Sequence, residues 1–322
     1  MVIRLLRASD AGAVRRLLSQ RFVEGLAPKD AAVTDSAALT QRLARRYRSD
    51  VVAATDGFGG FQGDQLRAVV LYGGGRHPLT GRSERQLLDV AYAEDDATAL
   101  ENVVVAALTG PQSRTRVIVP AHGAHAERTR TLLLGLGFSP EYAVIRKELT
   151  GGVALPGTFE LTPRRHAPFA YACIAAAIVN GLRSIGDDIP PAEAERFARR
   201  RFPRLNTSRR VSVLGLDEFD TPRAHALCEI VPSDFRSVRE ASLFDAFIPA
   251  EWKGQGWALQ IWQHLEALLV ARGLDRCSGT VVQAGQAPAA GVLSRLVAGG
   301  WWVDRDCLAL GADVVVQQVD AA

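Results

Sequence analysis

An amphipathic pattern near residue 260 gives the clearest local prediction for this chain. Apolar residues recur there at helical spacing, at Ala258, Ile261, Trp262, Leu265, Leu268 and Leu269. This spacing is typical of one buried helix face. The opposite, solvated face would carry polar residues, namely Gln260, Gln263, His264 and Arg272. Gly273 would end the helix, because glycine accepts the left-handed conformation needed there.

A buried strand is predicted directly before this helix, over Ser242–Ile248. Pro249 ends the strand, since proline has no backbone N–H to donate to a neighbouring strand. Two glycines, Gly254 and Gly256, then lie between the strand and the helix. The most flexible residues of the segment therefore stand where a helix must begin.

The two halves of the chain repeat one coarse order of elements. Each begins with a strand pattern that leads into a helix, and each ends with a strand, a helix closed by glycine and an aromatic residue, and a further strand. The first half ends "TRVIVP", "AERTRTLLLGLGF", "AVIRKEL", and the second ends "CSGTVVQ", "APAAGVLSRLVAGGW", "RDCLALGA". Runs of this kind favour parallel crossovers, whereas adjacent strands favour hairpins.

One such hairpin is predicted in the first half, with "VVAAT" and "LRAVVLYG" as strands around the glycine-rich turn "DGFGGFQGD". The segment Leu149–Thr158, rich in glycine and with a proline, is typical of a linker. The sequence therefore predicts an α/β protein with two similar domains, 1–150 and 151–322. Each would have a mixed, mostly antiparallel sheet flanked by helices.

Composition narrows the class of protein. Of the 322 residues, 48% are hydrophobic and 23% charged, the balance of a soluble globular protein. The formal net charge of +3 gives no electrostatic footprint for nucleic acid. No apolar run reaches the ~20 residues that span a bilayer, and the amino terminus lacks a signal-peptide layout. We expect a cytoplasmic protein that binds neither nucleic acid nor membrane, and the predominance of arginine over lysine indicates a bacterial genome.

The sequence predicts neither disulfides nor a metal site. His122 and His125 have no cysteine or carboxylate at ligand spacing. No CxxC pair exists, so buried structural thiols are expected at all four cysteines, Cys173, Cys228, Cys277 and Cys307.

Anion binding is one explanation for the glycines before the helix. The first turn of a helix leaves backbone N–H groups without partners, and the helix dipole adds partial positive charge. A phosphate placed there satisfies both, provided that side chains do not keep it away from the main chain. Gly254 and Gly256 remove those side chains, and Lys253 adds a cation. A structural helix cap would use the same residues, so the pattern alone leaves both interpretations open.

Two common phosphate-binding motifs are excluded. No GK[ST] follows the glycines, as a P-loop requires, and Leu259 stands where a dinucleotide-binding fingerprint has its third glycine. The stretch Lys253-Gly254-Gln255-Gly256-Trp257-Ala258 instead resembles the pyrophosphate loop of the GNAT acyltransferase superfamily, with lysine in place of the usual Arg or Gln. The resemblance covers roughly Phe159–Ala312 and, more faintly, Val2–Leu149.

The resemblance implies acyl transfer from acetyl-CoA or another acyl-CoA to the amine of a small-molecule acceptor, by direct attack in a ternary complex. Backbone groups of Phe247 and Ile248 would pair with the pantetheine arm, and a backbone N–H would polarise the thioester carbonyl. Asp245 is the candidate general base, with Glu229 and Glu240 in reserve. Its residue type equally fits an aspartate that caps a loop or pairs with an arginine.

The resemblance is incomplete at the general acid. Many relatives have a tyrosine in the last helix where this chain has Leu296, and Ser294 is only a weak substitute. The usual asparagine before that helix is also missing, with Gln286 the nearest polar residue.

The first half has an acidic segment where its own phosphate loop should lie, Glu94, Asp95 and Asp96. These carboxylates would repel a phosphate. A degenerate first domain, structural or shaping the acceptor pocket, is therefore expected.

Two rival functions remain open. The acyl group can come from an acyl carrier protein, which would dock on the arginine-rich stretch Arg196–Arg204. Alternatively, the loop can hold a CoA ester as a sensed ligand without catalysis. Either a monomer or a homodimer is compatible with the sequence.

Overall fold

The computed structural model describes residues 1–32, 34–93, 96–109, 114–155, 158–233, 236, 238–283 and 287–311. The chain forms two compact units. Unit 1 comprises Met1–Ala143 and Val303–Ala322, and unit 2 comprises Val144–Trp302. Among the helices in these described ranges, none combines the length and the apolar character that crossing a membrane requires.

The first half of the chain alternates between groups of helices and strands. Its helices are α1 Ala11–Glu24, α2 Pro28–Ala31, α3 Ser36–Arg46, α4 Ser49–Ala54, α5 Ala97–Leu108 and α6 Ala124–Gly135. Its strands are β1 Val2–Leu5, β2 Asp56–Gln62, β3 Gln65–Arg76, β4 Ser83–Tyr92, β5 Arg114–Pro120 and β6 Ser139–Glu148.

The second half has a similar order. Its helices are α7 Ala167–Ser184, α8 Pro191–Arg201, α9 Trp257–Ala271 and α10 Ala287–Ala298. Its strands are β7 Phe159–Leu161, β8 Arg210–Leu216, β9 Pro222–Pro232, β10 Arg239–Phe247, β11 Arg276–Val282 and β12 Trp302–Leu310.

Each unit has a mixed, mostly antiparallel sheet. Unit 1 has the strand order β1-β2-β3-β4-β5-β12, in which β4 and β5 are parallel. Unit 2 has the order β7-β8-β9-β10-β11, followed by the second part of β6, and β10 and β11 are parallel. The predicted fold class is therefore confirmed: two tandem units with such sheets, flanked by helices.

The last strands of the two halves are exchanged. β12, from the end of the chain, pairs antiparallel with β5 of unit 1, and its Leu308 and Leu310 pack in the core of that unit. The second part of β6 joins unit 2, where Leu149 N donates to Asp275 O at 2.9 Å. The compact units thus differ from the predicted boundaries 1–150 and 151–322, because strand pairing over a long sequence separation leaves no local pattern.

The predicted hairpin in the first half is wrong at its start. "VVAAT" lies mostly in helix α4, and the glycine-rich segment predicted as a turn forms strand β2. Added side chains at Gly57 and Gly59 would lie within 3 Å of Leu6 side-chain atoms, so these glycines make room for tight packing on the strand.

Candidate active site

The predicted phosphate loop forms an open turn in unit 2. After Pro249, a 3-10 turn spans Ala250–Trp252 and leads to two glycines in the left-handed region, Gly254 at φ +81° and Gly256 at φ +84°. A Cβ added to Gly254 would meet nothing within 4 Å, and one added to Gly256 would meet only Gln260 Nε2, at 3.6 Å. Both glycines therefore have a positive φ, which is unfavourable for residues with a side chain, and the space next to them is open.

The backbone amides of this loop are available to a ligand. The N–H groups of residues 254–258 have no acceptor within the described part of the chain, and no side chain caps helix α9. The first amides with partners are those of Leu259 and Gln260, which donate to Gly256 O at 3.1 Å. Lys253 is exposed, and no described residue pairs with it. Free amides, bare glycines and a cation fit a polyphosphate.

Trp257 anchors the start of helix α9. Its ring lies 5.8 Å from that of Phe159, edge to face, and a Cβ on Gly215 would come within 3.0 Å of it. Ala258 is exposed, and Gln255 Nε2 donates to Glu251 O at 3.3 Å. The large residue of the loop is thus fixed against the sheet of unit 2, while its small residues face solvent.

Strands β10 and β11 separate before they reach this loop. They pair only at Ala241↔Cys277 and Ser242↔Ser278. A bulge at Phe244 then shifts the register of β10 against β9. The edge of β10 that leads to Phe247 and the buried Ile248 consequently has no described strand partner on that side, so its backbone groups are free to bind an extended ligand.

Asp245 follows the bulge directly, opposite Leu227 of β9. Its Oδ2 is buried without a hydrogen-bond partner in the described structure. Burial raises the pKa of the Asp245 carboxyl to about 7. Burial and this neighbouring carboxylate together raise the pKa of the Cys173 thiol to about 12, which places Asp245 beside α7. A carboxyl poised near neutral pH and without an ion-pair partner is suited to proton transfer.

The reserve carboxylates are held in ion pairs. Glu240 accepts from Arg146 at 2.8 Å, and both side chains are buried. Glu229 pairs with Arg201 at 2.6 Å and with Arg210 at 3.1 Å. These ion pairs stabilise the fold, whereas Asp245 has no ion-pair partner among the described residues.

The candidate acid lies on the last helix. Ser294 is exposed on α10, and Leu296 is partly buried. Gln286 lies outside the described residues. These observations leave the group that protonates the leaving thiolate unassigned, and Ser294 stays a prediction.

The helix face predicted to be solvated is partly buried. His264 is 6% exposed, because the segment after β6 packs over α9 and Leu155 N donates to His264 Nδ1 at 3.0 Å. In the same segment a Cβ on Gly152 would stand 1.8 Å from Gln263 O. This glycine therefore permits a close backbone approach, in addition to belonging to a linker-like sequence.

A buried polar chain below the site has no signal in the sequence beyond a histidine within a strand. His225 Nε2 lies 2.9 Å from Ser212 Oγ, which lies 2.7 Å from Thr162 Oγ1. Burial lowers the pKa of His225 to about 3, so the ring is neutral, and its Nδ1 has no described partner. His225 pairs in register with Phe247, at the end of β10.

One group of possible metal ligands lies elsewhere in unit 2. Ligand atoms of Glu160, His166 and Asp220 lie within 4.8 Å of one another. The guanidinium of Arg165 already bonds to Asp220 at 3.0 Å and to Glu160 at 3.1 Å. This cation neutralises the carboxylates, so the group does not require an ion.

Unit 1 has the same local architecture with different partners. A bulge at Leu88 precedes Asp89 on β4, but Asp89 accepts from Tyr47 Oη at 2.9 Å and from Arg46 at 3.0 Å. At the start of α5, Asp96 Oδ1 accepts from Ala99 N at 3.1 Å. The unit therefore supplies its own carboxylate to its helix start; Glu94 and Asp95 lie outside the described residues.

All four cysteines are buried and free, in line with the expectation of structural thiols. They contribute no exposed nucleophile. The candidate site thus consists of the free loop amides, the separated edge of β10 and Asp245.

Solved structures match this fold across nearly the whole chain. A GCN5-related N-acetyltransferase from Sphaerobacter thermophilus is 13% identical, with a TM-score of 0.58, and the match covers 97% of this chain and 95% of that one. A GCN5-related glucosamine N-acetyltransferase region of a fungal multi-domain GH3 β-N-acetylglucosaminidase is 12% identical, with a TM-score of 0.57. That match covers 96% of this chain but only 38% of the fungal chain.

A tandem GNAT protein from the clavulanic acid biosynthesis pathway is also similar, at 11% identity and a TM-score of 0.47, over 98% of this chain and 100% of that one. No protein-family model matches the sequence, and a search of curated proteins found no match. The chain has the fold of the GNAT N-acetyltransferases, and its two units carry that fold in tandem.

Proposed function

We propose that this protein is an acyltransferase that moves an acetyl or other acyl group from acyl-CoA to the amine of a small molecule, by direct attack in a ternary complex. One observation carries the proposal. The carboxyl of Asp245, whose Oδ2 is buried without a described hydrogen-bond partner, lies on the strand that separates from its neighbour and leads into the loop of free amides. A purely structural helix cap would need neither the separated strand nor the buried carboxyl.

The loop would hold the donor by its pyrophosphate. The amides of residues 254–258 and the Lys253 ammonium would bind the phosphate oxygens, and the free edge of β10 near Phe247 and Ile248 would hold the pantetheine arm. Acyl-CoA would supply an acyl group activated as a thioester. Fixing both ends of the donor would contribute to rate mainly by orientation.

Asp245 would act as the general base. An amine attacks only when neutral, so its ammonium form must first lose a proton. A carboxyl with a pKa of about 7 accepts this proton at neutral pH, directly or through a water. A carboxyl that stayed protonated at neutral pH could not accept the proton. A fully exposed carboxyl would have a lower pKa and would therefore be a weaker base.

The test uses the full chain with acetyl-CoA and a panel of primary amines. Release of free thiol that depends on the amine is expected, together with a rise in melting temperature on addition of CoA. A rise in melting temperature without thiol release for any amine would instead support a sensor. Absence of both would contradict the proposed donor site.

A carrier-protein donor is a second candidate, favoured by the surface of α8. The side chains of Arg196 and Arg200 on α8, and of Arg204 just after it, are exposed and have no partner among the described residues, although Arg199 pairs with Glu195. Acyl carrier domains that are acidic would complement this charge. Transfer from an acylated carrier that falls steeply with salt, with no transfer from acetyl-CoA, would favour this candidate over the first.

A further inference from the structure

Unit 1 contains a cavity between helices α1 and α3, and none of its described lining residues is assigned to acyl transfer. Its volume is about 570 Å³. Leu39 and Leu43 of α3 line it and are buried, while Val23 of α1 lines it and remains 52% exposed. Apolar surface therefore continues from the floor of the cavity to solvent. Small-molecule sites have volumes of roughly 300–1,000 Å³ and mostly apolar walls.

Two arginines of α1 also line the cavity, Arg15 and Arg16. Both are exposed, and neither side chain has an ion pair, hydrogen bond or ring contact with any described residue. Other arginines of unit 1 are neutralised, as in the pairs Arg4–Asp10 and Arg46–Asp89. The described lining includes no carboxylate, so the two positive charges are uncompensated at the edge of an apolar cavity.

A hydroxyl adds a third donor at the same place. Ser19 lies one helical turn after Arg15 and Arg16 and lines the cavity with them. It makes no hydrogen bond with the described residues. Two guanidinium groups and a hydroxyl that line one cavity can together bind a single carboxylate, because Arg donors match both of its oxygens.

We infer that this cavity binds an amphipathic anion, an aliphatic chain that ends in a carboxylate. The chain would lie against Leu39 and Leu43, and the carboxylate between Arg15 and Arg16. A neutral apolar ligand would not pair with Arg15 and Arg16, and a small inorganic anion would not contact the apolar side chains of Leu39 and Leu43. The inference concerns unit 1 and does not depend on the proposed acyl transfer.

The test is calorimetric titration of the full chain with octanoate, using 1-octanol as the neutral match. Octanoate is expected to bind to one site, and 1-octanol at least about tenfold more weakly, as expected for the loss of one charge-assisted contact. The double variant Arg15→Gln/Arg16→Gln should lose about tenfold in octanoate affinity and little in octanol affinity. Arg45→Gln is the control, because Arg45 is an exposed, unpaired arginine of α3 outside the cavity.

A second variant tests the cavity itself. Thr40 lines the cavity from an exposed position on α3, so Thr40→Trp should fill the space without disturbing the core. Loss of octanoate binding with an unchanged melting temperature is the expected result. The inference is overturned if octanoate does not bind. It is equally overturned if the Arg15→Gln/Arg16→Gln variant and the Thr40→Trp variant both bind octanoate with wild-type affinity. It is also overturned if Gly256→Glu, in unit 2, abolishes octanoate binding, because the ligand would then occupy the loop.

Discussion

Asp245 and Asp89 occupy the same position in the two units, each one residue after the bulge of the strand that precedes the helix start. Asp245 pairs in register with Leu227, and Asp89 with Leu71. Their surroundings differ, since Asp89 is bound by Tyr47 and Arg46 whereas the buried oxygen of Asp245 has no described partner. The two units therefore have a carboxyl at the same position of the fold, and only in unit 1 is it bound by a tyrosine and an arginine.

The first prediction concerns the pH dependence of acyl transfer. Because the Asp245 carboxyl has a pKa of about 7, the value of kcat/KM for the amine should rise through neutral pH and level off above it. Asp245→Asn should lower the rate by about 100-fold or more and remove the dependence that belongs to this group. Initial rates of thiol release across the pH range, at saturating donor, provide the measurement. An Asn variant with the wild-type profile would exclude Asp245 as the base.

The second prediction concerns stability. Since the pKa of Asp245 is raised in the folded state, folded protein binds more protons than unfolded protein between about pH 4 and pH 7, and stability falls as the pH rises through this range. Asp245→Asn removes this loss, so the variant should be more stable than the wild type above pH 7, by up to roughly 4 kcal/mol. Thermal unfolding of both proteins at several pH values tests it. A difference that does not grow with pH would contradict the raised pKa of the Asp245 carboxyl.

The third prediction compares two glycines at opposite ends of helix α9. Gly256 and Gly273 both have positive φ and open space at the Cβ position, at +84° and +75°. Glutamate at either position should therefore cost a similar conformational strain, about 1–2 kcal/mol. Only Gly256→Glu should abolish CoA binding, because it places a carboxylate at the free amides. Calorimetry with CoA is the measurement, and equal affinities in the two variants would remove the loop from the proposed site.

The fourth prediction concerns Asp89. In Asp89→Asn the Tyr47 hydroxyl keeps an acceptor, while Arg46, already half exposed, loses an ion pair. Acyl transfer should stay within about twofold of the wild type. The change in stability should be small, because the lost ion pair contributes about 1 kcal/mol or less, while burial raises the pKa of the Asp89 carboxyl and so penalises its charged form. Activity and melting temperature are measured alongside Asp245→Asn. A large loss of activity would show that unit 1 takes part in the chemistry.

The fifth prediction tests the exchange of strands. Leu308 belongs to the second half of the sequence but packs in the core of unit 1, and Leu227 packs in the core of unit 2. Alanine at either position should destabilise its own unit by about 2–5 kcal/mol. Hydrogen exchange should therefore increase in β5 for Leu308→Ala and in β8 for Leu227→Ala. Increased exchange in β8 for both variants would contradict the observed pairing of β12.

Much of the local structure was predictable because it depends on neighbours in sequence. The spacing of Ile261, Leu265 and Leu269 predicted the buried face of α9, and all three are fully buried. His264 was misplaced on the solvated face, because the segment that covers it comes from residues more than a hundred positions earlier. The short run at 51–55 was misassigned for a related reason, since four apolar residues fit a strand or a helix turn equally well.

The sequence by itself determined the two-unit fold class, the strand–glycine–helix order and the residues available for an anion, because periodicity, glycine and proline act within a few residues. The tertiary structure decided which strand completes each sheet and where β10 and β11 part. It also decided that Oδ2 of Asp245 is buried without a described partner, whereas Asp89 is bound by Tyr47 and Arg46. These features arise from contacts between distant segments, and burial and pairing, which set a carboxyl's proton affinity, exist only once those segments have packed.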